Sequence, residues 1–284
     1  MKILLTGAQG MLAGAIKPVL EAHGHLLASF SRTGLDIRDP MAVKTTMKEV
    51  RPDLVLNMAA YTRVDDAESE PQQAFAINAQ AVHTLAETCA GLNATLLHVS
   101  TDYVFDGQAQ QPYPENAPPD PVNTYGRSKW AGEQAIRDAL QNHYIIRTAW
   151  LYGTGGPNFV DTIRKLARRQ APLRVVSDQR GAPTWTHDLS NTICRLILTQ
   201  KFGTYHISNQ GECSWHEVAQ KIVALEGLKT PVIPVSTDEF PRPAPRPRYS
   251  VLKNQALLDA GIPLLPPWEQ SLATYLERHP FAGP

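Results

Sequence analysis

The sequence predicts an α/β fold around a doubly wound parallel sheet, and three features predict it. Short apolar runs alternate with segments of helical periodicity through the first half, a glycine-rich turn follows the first run, and a hydroxyl residue closes a later one. Strand and helix in alternation give parallel strands joined by right-handed crossovers, with helices on both faces. The strand-like runs are Ile3 to Thr6, Leu26 to Phe30, Leu54 to Asn57, Thr95 to Ser100 and Tyr144 to Thr148. Each is short, apolar and bounded by turn residues, as a strand buried on both faces requires. Helical periodicity marks Gly10 to His23, Met41 to Val50, Pro71 to Leu92 and Thr124 to Gln141. After Trp150 the alternation loosens and prolines gather at Pro231, Pro234, Pro241, Pro243, Pro245 and Pro247. The expected organisation is a Rossmann-type domain over residues 1–155, rejoined by 186–204 as Thr186 to Leu198 returns as a helix, with a smaller α/β substrate-binding lobe over 156–185 and 205–284. The Pro/Arg-rich run Phe240 to Arg248 reads equally as a flexible linker and as an ordered loop over the site.

Composition narrows the class. At 284 residues and 43% hydrophobic content the chain can bury a sizeable core. Lys+Arg and Asp+Glu both number 27, so no single-sign field points to nucleic acid or a membrane surface as the main partner. Cys89, Cys194 and Cys213 are widely separated and lack a metal-like spacing, so they read as buried or reduced thiols. The amino terminus enters a strand directly, without a charged leader or long apolar segment, and a cytoplasmic protein is expected.

The first strand runs into Gly7-Ala8-Gln9-Gly10-Met11-Leu12-Ala13-Gly14. Gly7 and Gly10 let the backbone approach a pyrophosphate, while the helix beginning near Gly10, with Met11 and Leu12 in its first turn, offers free N–H groups and a positive dipole end. Ala13 stands where a third glycine is common, at a position whose job is close helix packing. After the second strand comes Ser31-Arg32-Thr33. An acidic residue there would bond the ribose hydroxyls of NAD, and a basic one accommodates the 2′-phosphate of NADP. Arg32 therefore points to NADPH, with NADH the alternative, and Asp36 and Ile37 follow as further candidates for the adenosine end. The third strand ends in Asn57-Met58-Ala59-Ala60-Tyr61-Thr62. Small Ala59 and Ala60, with Tyr61 and Thr62, would let a nicotinamide ribose lie over the sheet.

The chemistry is expected at Ser100-Thr101-Asp102-Tyr103-Val104-Phe105 and at Tyr125-Gly126-Arg127-Ser128-Lys129. Thr101 ends an apolar run, and the carboxyl ends of such strands are where these sheets bind ligands. Tyr125 and Lys129, four apart, share a helix face, so an ammonium can sit beside a phenol and is expected to lower its pKa toward neutrality. That makes Tyr125 a proton donor.

Together these residues resemble the extended short-chain dehydrogenase/reductase family, and within it the dTDP-4-dehydrorhamnose reductases. The resemblance spans nearly the whole chain: the Gly7 turn, Leu35 to Asp39, Asn57 to Glu68, Ser100 to Phe105, Tyr125 to Glu133, Arg147 to Gly153, Asn158 to Val160, Asp178 to Thr184, Ser214-Trp215 and Arg246 to Ser250. Threonine at 101 is more telling than the tyrosine–lysine pair, because most of the wider superfamily has serine there. The resemblance implies reduction of the C4 ketone of a dTDP-linked 6-deoxy-4-keto-hexose, with Tyr125 protonating the alkoxide, Thr101 bonding the substrate oxygen or tuning Tyr125, and Lys129 holding the nicotinamide ribose. It also implies substrate contacts from Asp102, Trp150, Asn158 and Arg246, with Gln179 weaker. Some relatives dimerise around a divalent metal, and a homodimer stays open, yet no carboxylate cluster here can be assigned to a metal. Met11 and Met58 depart from the family pattern without removing a reacting group. A sister reductase or epimerase of another nucleotide sugar stays open, as does a regulatory role like that of the methionine adenosyltransferase regulatory subunit.

Overall fold

The computed structural model describes residues 1–169 and 171–281. Its centre is a parallel sheet built from β1 (Lys2–Thr6), β2 (Leu26–Phe30), β3 (Leu54–Asn57), β4 (Thr95–Thr101), β5 (His143–Thr148) and β6 (Gly203–His206), in the order β6-β5-β4-β3-β1-β2. The chain steps one way from β1 to β2 and the other way from β1 through β3 to β6. The strand order therefore reverses between β1 and β3, and their carboxyl ends open a crevice there. Registers Thr6↔Asn57 and Thr101↔Thr148 bring the ends of neighbouring strands level at the site. Tyr205 and His206, expected in the second lobe, belong instead to β6, where they pair with Ile146 and Arg147.

The apolar runs predict strands because both faces are covered. On one face α1 (Met11–Ala22) and the helix Thr186–Leu196 pack Leu12, Ile16 and Leu20 with Leu189 and Ile193 against the sheet. On the other, Val43 and Met47, Val82 and Leu85, and Ile136 cover Leu4, Val55 and Leu96. The expected helix Pro71 to Leu92 is three pieces, α-helix Pro71–Phe75, a π turn Ala76–Gln80 and α-helix Ala81–Leu92. Local insertions of this kind gather at functional sites. Here the π turn delivers buried Asn78, whose Oδ1 accepts from Tyr61 N at 2.9 Å while Nδ2 donates to Tyr61 O and to Ser128 Oγ at 3.0 and 2.9 Å. The loop after β3 is thus tied to the helix Thr124–Ala139, here the site helix, which ends two residues short of the expected Gln141.

A second apolar cluster, including Tyr152, Val160, Trp185, Ile222, Trp268 and Tyr275, forms the core of the smaller lobe. Its helix Trp215–Leu225 begins at a capping box between Ser214 and Glu217. Residues 282–284 of the lobe lie outside the described residues. The run Phe240 to Arg248 is an ordered strap: Asn123 Nδ2 donates to Pro245 O at 2.9 Å, Arg246 pairs with Asp65 at 2.6 Å, and Arg180 N donates to Arg248 O at 2.7 Å. Cys89, Cys194 and Cys213 are buried and unpaired to one another. Among the described residues, no helix is long and apolar enough to cross a membrane.

Candidate active site

Two adjoining cavities open at the carboxyl ends of the strands. The first, about 600 Å³, is lined by Gly7, Gly10, Arg32, Asp36, Ile37, Ala59, Ala60, Tyr61 and Thr62 among others. Gly7 has φ +70°, and a Cβ there would lie 2.7 Å from Ala59 N and Met58 C, so only glycine lets β1 turn against the end of β3. This cradle suits a pyrophosphate, which needs bare backbone at a helix N-terminus. Arg32 faces the same space. The Asp36 carboxylate is taken by Arg38, whose Nε donates at 2.9 and 3.1 Å, and this hydrogen bonding holds its pKa down at about 2. Asp36 is therefore less available to ribose hydroxyls than its sequence position suggests, because Arg38 already satisfies its oxygens.

The second cavity, about 750 Å³, shares Gln9, Gly10, Met58, Ala60, Thr62 and Arg63 with the first and adds Met11, Leu12, Thr101, Asp102, Tyr125, Lys129, Trp150 and Trp215. Thr101 arrives on β4, and Tyr125 and Lys129 on the site helix, whose N-cap Asn123 accepts from Gly126 N at 2.7 Å. Thr101 Oγ1 donates to Asp102 Oδ1 at 3.0 Å, and Asp102 Oδ2 is buried without a hydrogen-bond partner among the described residues. Burial accordingly raises Asp102 to about 6.

The expected lowering of the Tyr125 pKa is not what the geometry produces. The phenol is pushed up to about 12, first by burial, with Thr101 pulling it down and the Asp102 charge pushing it up. Lys129 Nζ is turned instead to Val99 O at 2.6 Å and His98 Nε2 at 3.0 Å. Burial drops Lys129 itself to about 7, opposed by Glu133 one turn further on. Tyr125 therefore keeps its proton at neutral pH, which is the state a proton donor needs.

Two expected substrate residues have other partners. Asn158 caps the helix Phe159–Ala167, accepting from Asp161 N at 2.9 Å while its amide donates to Gly153 O and Gly156 O at 2.9 and 3.2 Å. Its polar atoms are spent on the loop, and it does not line the reaction cavity. Arg246 pairs with Asp65 and lines a separate pocket of about 300 Å³, with Gln179, Thr237 and Arg242.

Two contributors escape the sequence reading. His98, buried in β4, touches Lys129, and Trp215 stacks on Trp150 with centroids 3.5 Å apart and planes 11° apart. The Ser214-Trp215 pair was visible as a motif, but its partner lies 65 positions earlier at Trp150, which packing alone reveals. Trp150 holds φ 48°, costly for a bulky side chain, and is locked by that stack, by Thr184 N donating to its carbonyl at 3.2 Å, and by Gly181 against the indole. A Cβ on Gly181 would lie 2.5 Å from Trp150 Cε2. Gly181→Ala is expected to displace the indole, weaken the paired-indole signal in near-UV circular dichroism and cost roughly 1–3 kcal/mol in denaturant unfolding. An unchanged spectrum would mean the two rings do not depend on Gly181.

Among the described residues, no group of three His, Cys, Asp or Glu is placed to hold a metal ion. Residues 1–280 match the RmlD substrate binding domain. Over 276 residues the chain is 42% identical to a dTDP-4-dehydrorhamnose reductase of Streptomyces griseus, covering 95% of this chain and 91% of that protein. It is 41% identical over 277 residues to the spore coat polysaccharide biosynthesis protein SpsK of Bacillus subtilis (strain 168), covering 98% and 97%. The crystal structure of dTDP-4-dehydrorhamnose reductase from Bacillus anthracis str. Ames in complex with NADP aligns at TM-score 0.95 and 39% identity, covering 98% of this chain and 99% of that one. With cradle, hydroxyl, phenol and amine in adjoining cavities, and similarity along almost its full length, the chain belongs to the RmlD substrate-binding domain family.

Proposed function

We propose that this protein is an NADPH-dependent oxidoreductase that reduces the C4 keto group of dTDP-4-dehydro-L-rhamnose to give dTDP-L-rhamnose, a step of nucleotide-sugar synthesis for cell-surface polysaccharide. The observation that carries the reading is the continuity of the Gly7 cradle with the cavity holding Thr101, Tyr125, Lys129 and Trp150. Gly7, Gly10, Met11 and Leu12 would hold the dinucleotide phosphates, Arg32 the adenosine end, and Ala59 to Thr62 the middle of the cofactor. Residues 1–155 with 186–206 would carry the cofactor, and 156–185 with 207–281 would cover the sugar nucleotide. Bound NADPH supplies the hydride that the carbonyl carbon needs.

The chain's own groups manage the proton. Tyr125, protonated across the neutral range, gives its proton to the oxygen as negative charge develops there. Thr101 bonds the same oxygen or the phenol, and Lys129, which lines the same cavity, would hold the nicotinamide ribose. The Trp150–Trp215 pair presents a flat apolar wall that excludes water from the sugar. The setting in which we expect this activity is the cytoplasm.

The direct test follows NADPH absorbance with purified protein and dTDP-4-dehydro-L-rhamnose, comparing other keto-sugars. Oxidation dependent on that sugar supports the reading, and a preference for a different keto-sugar would replace the substrate. Arg32→Ala is expected to weaken NADPH relative to NADH by roughly 10- to 100-fold, the worth of one charge-assisted contact. Equal loss for both cofactors would remove Arg32 from the 2′-phosphate.

A further inference from the structure

β4 and β5 end level, with Thr101 and Thr148 paired across them. Neighbouring strands lie about 4.8 Å apart and paired residues share a face, so the two threonines stand side by side at the carboxyl ends. Both line the reaction cavity. Their hydroxyls differ in what they already bond. Thr101 Oγ1 gives its one proton to Asp102 Oδ1 at 3.0 Å and accepts from Tyr103 N at 3.2 Å. Thr148 is 4% exposed, and its Oγ1 is buried with no hydrogen-bond partner among the described residues.

A buried hydroxyl without a partner is unfavourable, and folded proteins hold few such groups. Five buried side-chain atoms lack a partner among the described residues, on His25, Asp102, Tyr144, Thr148 and Tyr152. Tyr144 and Tyr152 sit in apolar cores, where the ring carries the packing. Of the five residues, Asp102 and Thr148 are the two that line the reaction cavity. Asp102 follows Thr101 and is already a candidate for the substrate, whereas Thr148 has no role in the mechanism above. A valine would fill its place with the same shape and without the cost of an unpaired hydroxyl, so the oxygen adds nothing to the fold that a methyl group would not.

We propose that Thr148 is a ligand-binding residue whose hydroxyl bonds a neutral polar group, amide or hydroxyl, of a molecule held in the reaction cavity. The inference rests on the reductase reading for the identity of that molecule. Two groups have the required chemistry, the carboxamide of NADPH and a hydroxyl of the sugar, and a threonine hydroxyl can donate to or accept from either. The order of the strand ends favours the carboxamide. Residues of the cofactor cavity follow β2 at Arg32, β1 at Gly7 and β3 at Ala59, and the reaction cavity continues to Thr101 on β4 and Thr148 on β5. A dinucleotide entering with its adenosine at Arg32 would therefore turn its nicotinamide end toward β5. Rotation about Cα–Cβ lets Oγ1 move between its staggered positions to meet that group.

The test titrates the whole protein with NADPH by fluorescence and, in the presence of NADP⁺, with dTDP-L-rhamnose by calorimetry, comparing Thr148→Val with Thr148→Ser. Thr148→Val is expected to weaken NADPH roughly 3- to 10-fold, the worth of one neutral hydrogen bond, and to leave the sugar nucleotide within about twofold. Thr148→Ser, which keeps the hydroxyl, should hold both affinities within about twofold of native. A loss confined to dTDP-L-rhamnose would keep the proposal and assign the hydroxyl to the sugar. Native affinity for both ligands in Thr148→Val would overturn it. The urea midpoint of Thr148→Val is expected at or above the native one, because no bond within the protein is removed. A lower midpoint would mean that the hydroxyl has a partner inside the protein, which also overturns the proposal. If the native chain fails to bind NADPH, the reductase reading falls and takes this inference with it, whereas native binding with an indifferent Thr148→Val sinks the inference alone.

Discussion

Tyr125→Phe is expected to lower kcat by roughly 10²- to 10⁴-fold, the usual contribution of a positioned general acid. That loss corresponds to roughly 3–5 kcal/mol in the barrier. The phenol lines the cavity and is kept protonated by burial, so on the proposed mechanism removing its oxygen deletes the proton and little else. NADPH affinity, measured by fluorescence titration, should stay within a few-fold, because the Gly7 cradle is untouched. The pH profile adds a sign check. Tyr125 stays protonated until about 12, so the basic limb of the native enzyme should reflect loss of the Lys129 charge as pH rises through about 7. A variant with native kcat would remove Tyr125 from the reaction, and a large loss of NADPH binding would make its role structural.

Glu133→Ala is expected to be the most damaging single change to stability, costing roughly 3–5 kcal/mol and lowering Tm by roughly 10 °C. The carboxylate is fully buried and accepts from Arg147 Nη2 at 2.7 Å, Arg147 Nε at 3.0 Å, Ser100 Oγ at 2.6 Å and Arg137 Nη2 at 3.0 Å. Its removal strands a guanidinium that is 1% exposed. Glu133→Leu with Arg147→Met should recover much of the loss, because neither partner is then left alone. The sign with pH follows from the lowered Glu133 pKa. Its stabilisation is present above the ordinary unfolded value of about 4.3 and is lost as pH falls through the folded value, so native and variant should converge in acid. Urea unfolding at two pH values checks this, and a constant difference would mean that Glu133 does not titrate on unfolding.

Strands were readable because burial on both faces leaves a continuous apolar run, as at Leu54–Asn57, where all four residues are buried. The Gly7 turn was readable because close backbone approach admits only one residue type. Other features depend on depth and on cross-chain partners, which spacing does not record. Helical spacing put Lys129 beside Tyr125, yet burial and the acceptors of β4 decide where its nitrogen points. The π turn leaves the apolar periodicity of Pro71 to Leu92 unbroken, so its extra residue is silent in sequence. Asn158 could have been read better: asparagine three residues before Asp161, just after Gly156-Pro157, is a helix-cap pattern. His98 is a single histidine in a strand, and its partner Asn57 is 41 positions away.

The strap carries a consequence for the order in which the molecule is made. Its Arg246 meets Asp65 across 181 positions, and its Pro245 meets Asn123 across 122. Synthesis at about 5–20 residues per second brings Arg246 out of the ribosome roughly 5–20 seconds after β5. In that interval β1 to β5 can pair, and the Gly7 turn can form against β3 within that sheet. Asp65 and Asn123 meanwhile wait, and β5 remains an unpaired edge until Gly203–His206 arrives. On the reading proposed above, the nascent chain completes the proposed dinucleotide cradle well before the proposed sugar wall, and a ribosome-bound intermediate is expected to acquire one ligand site before the other.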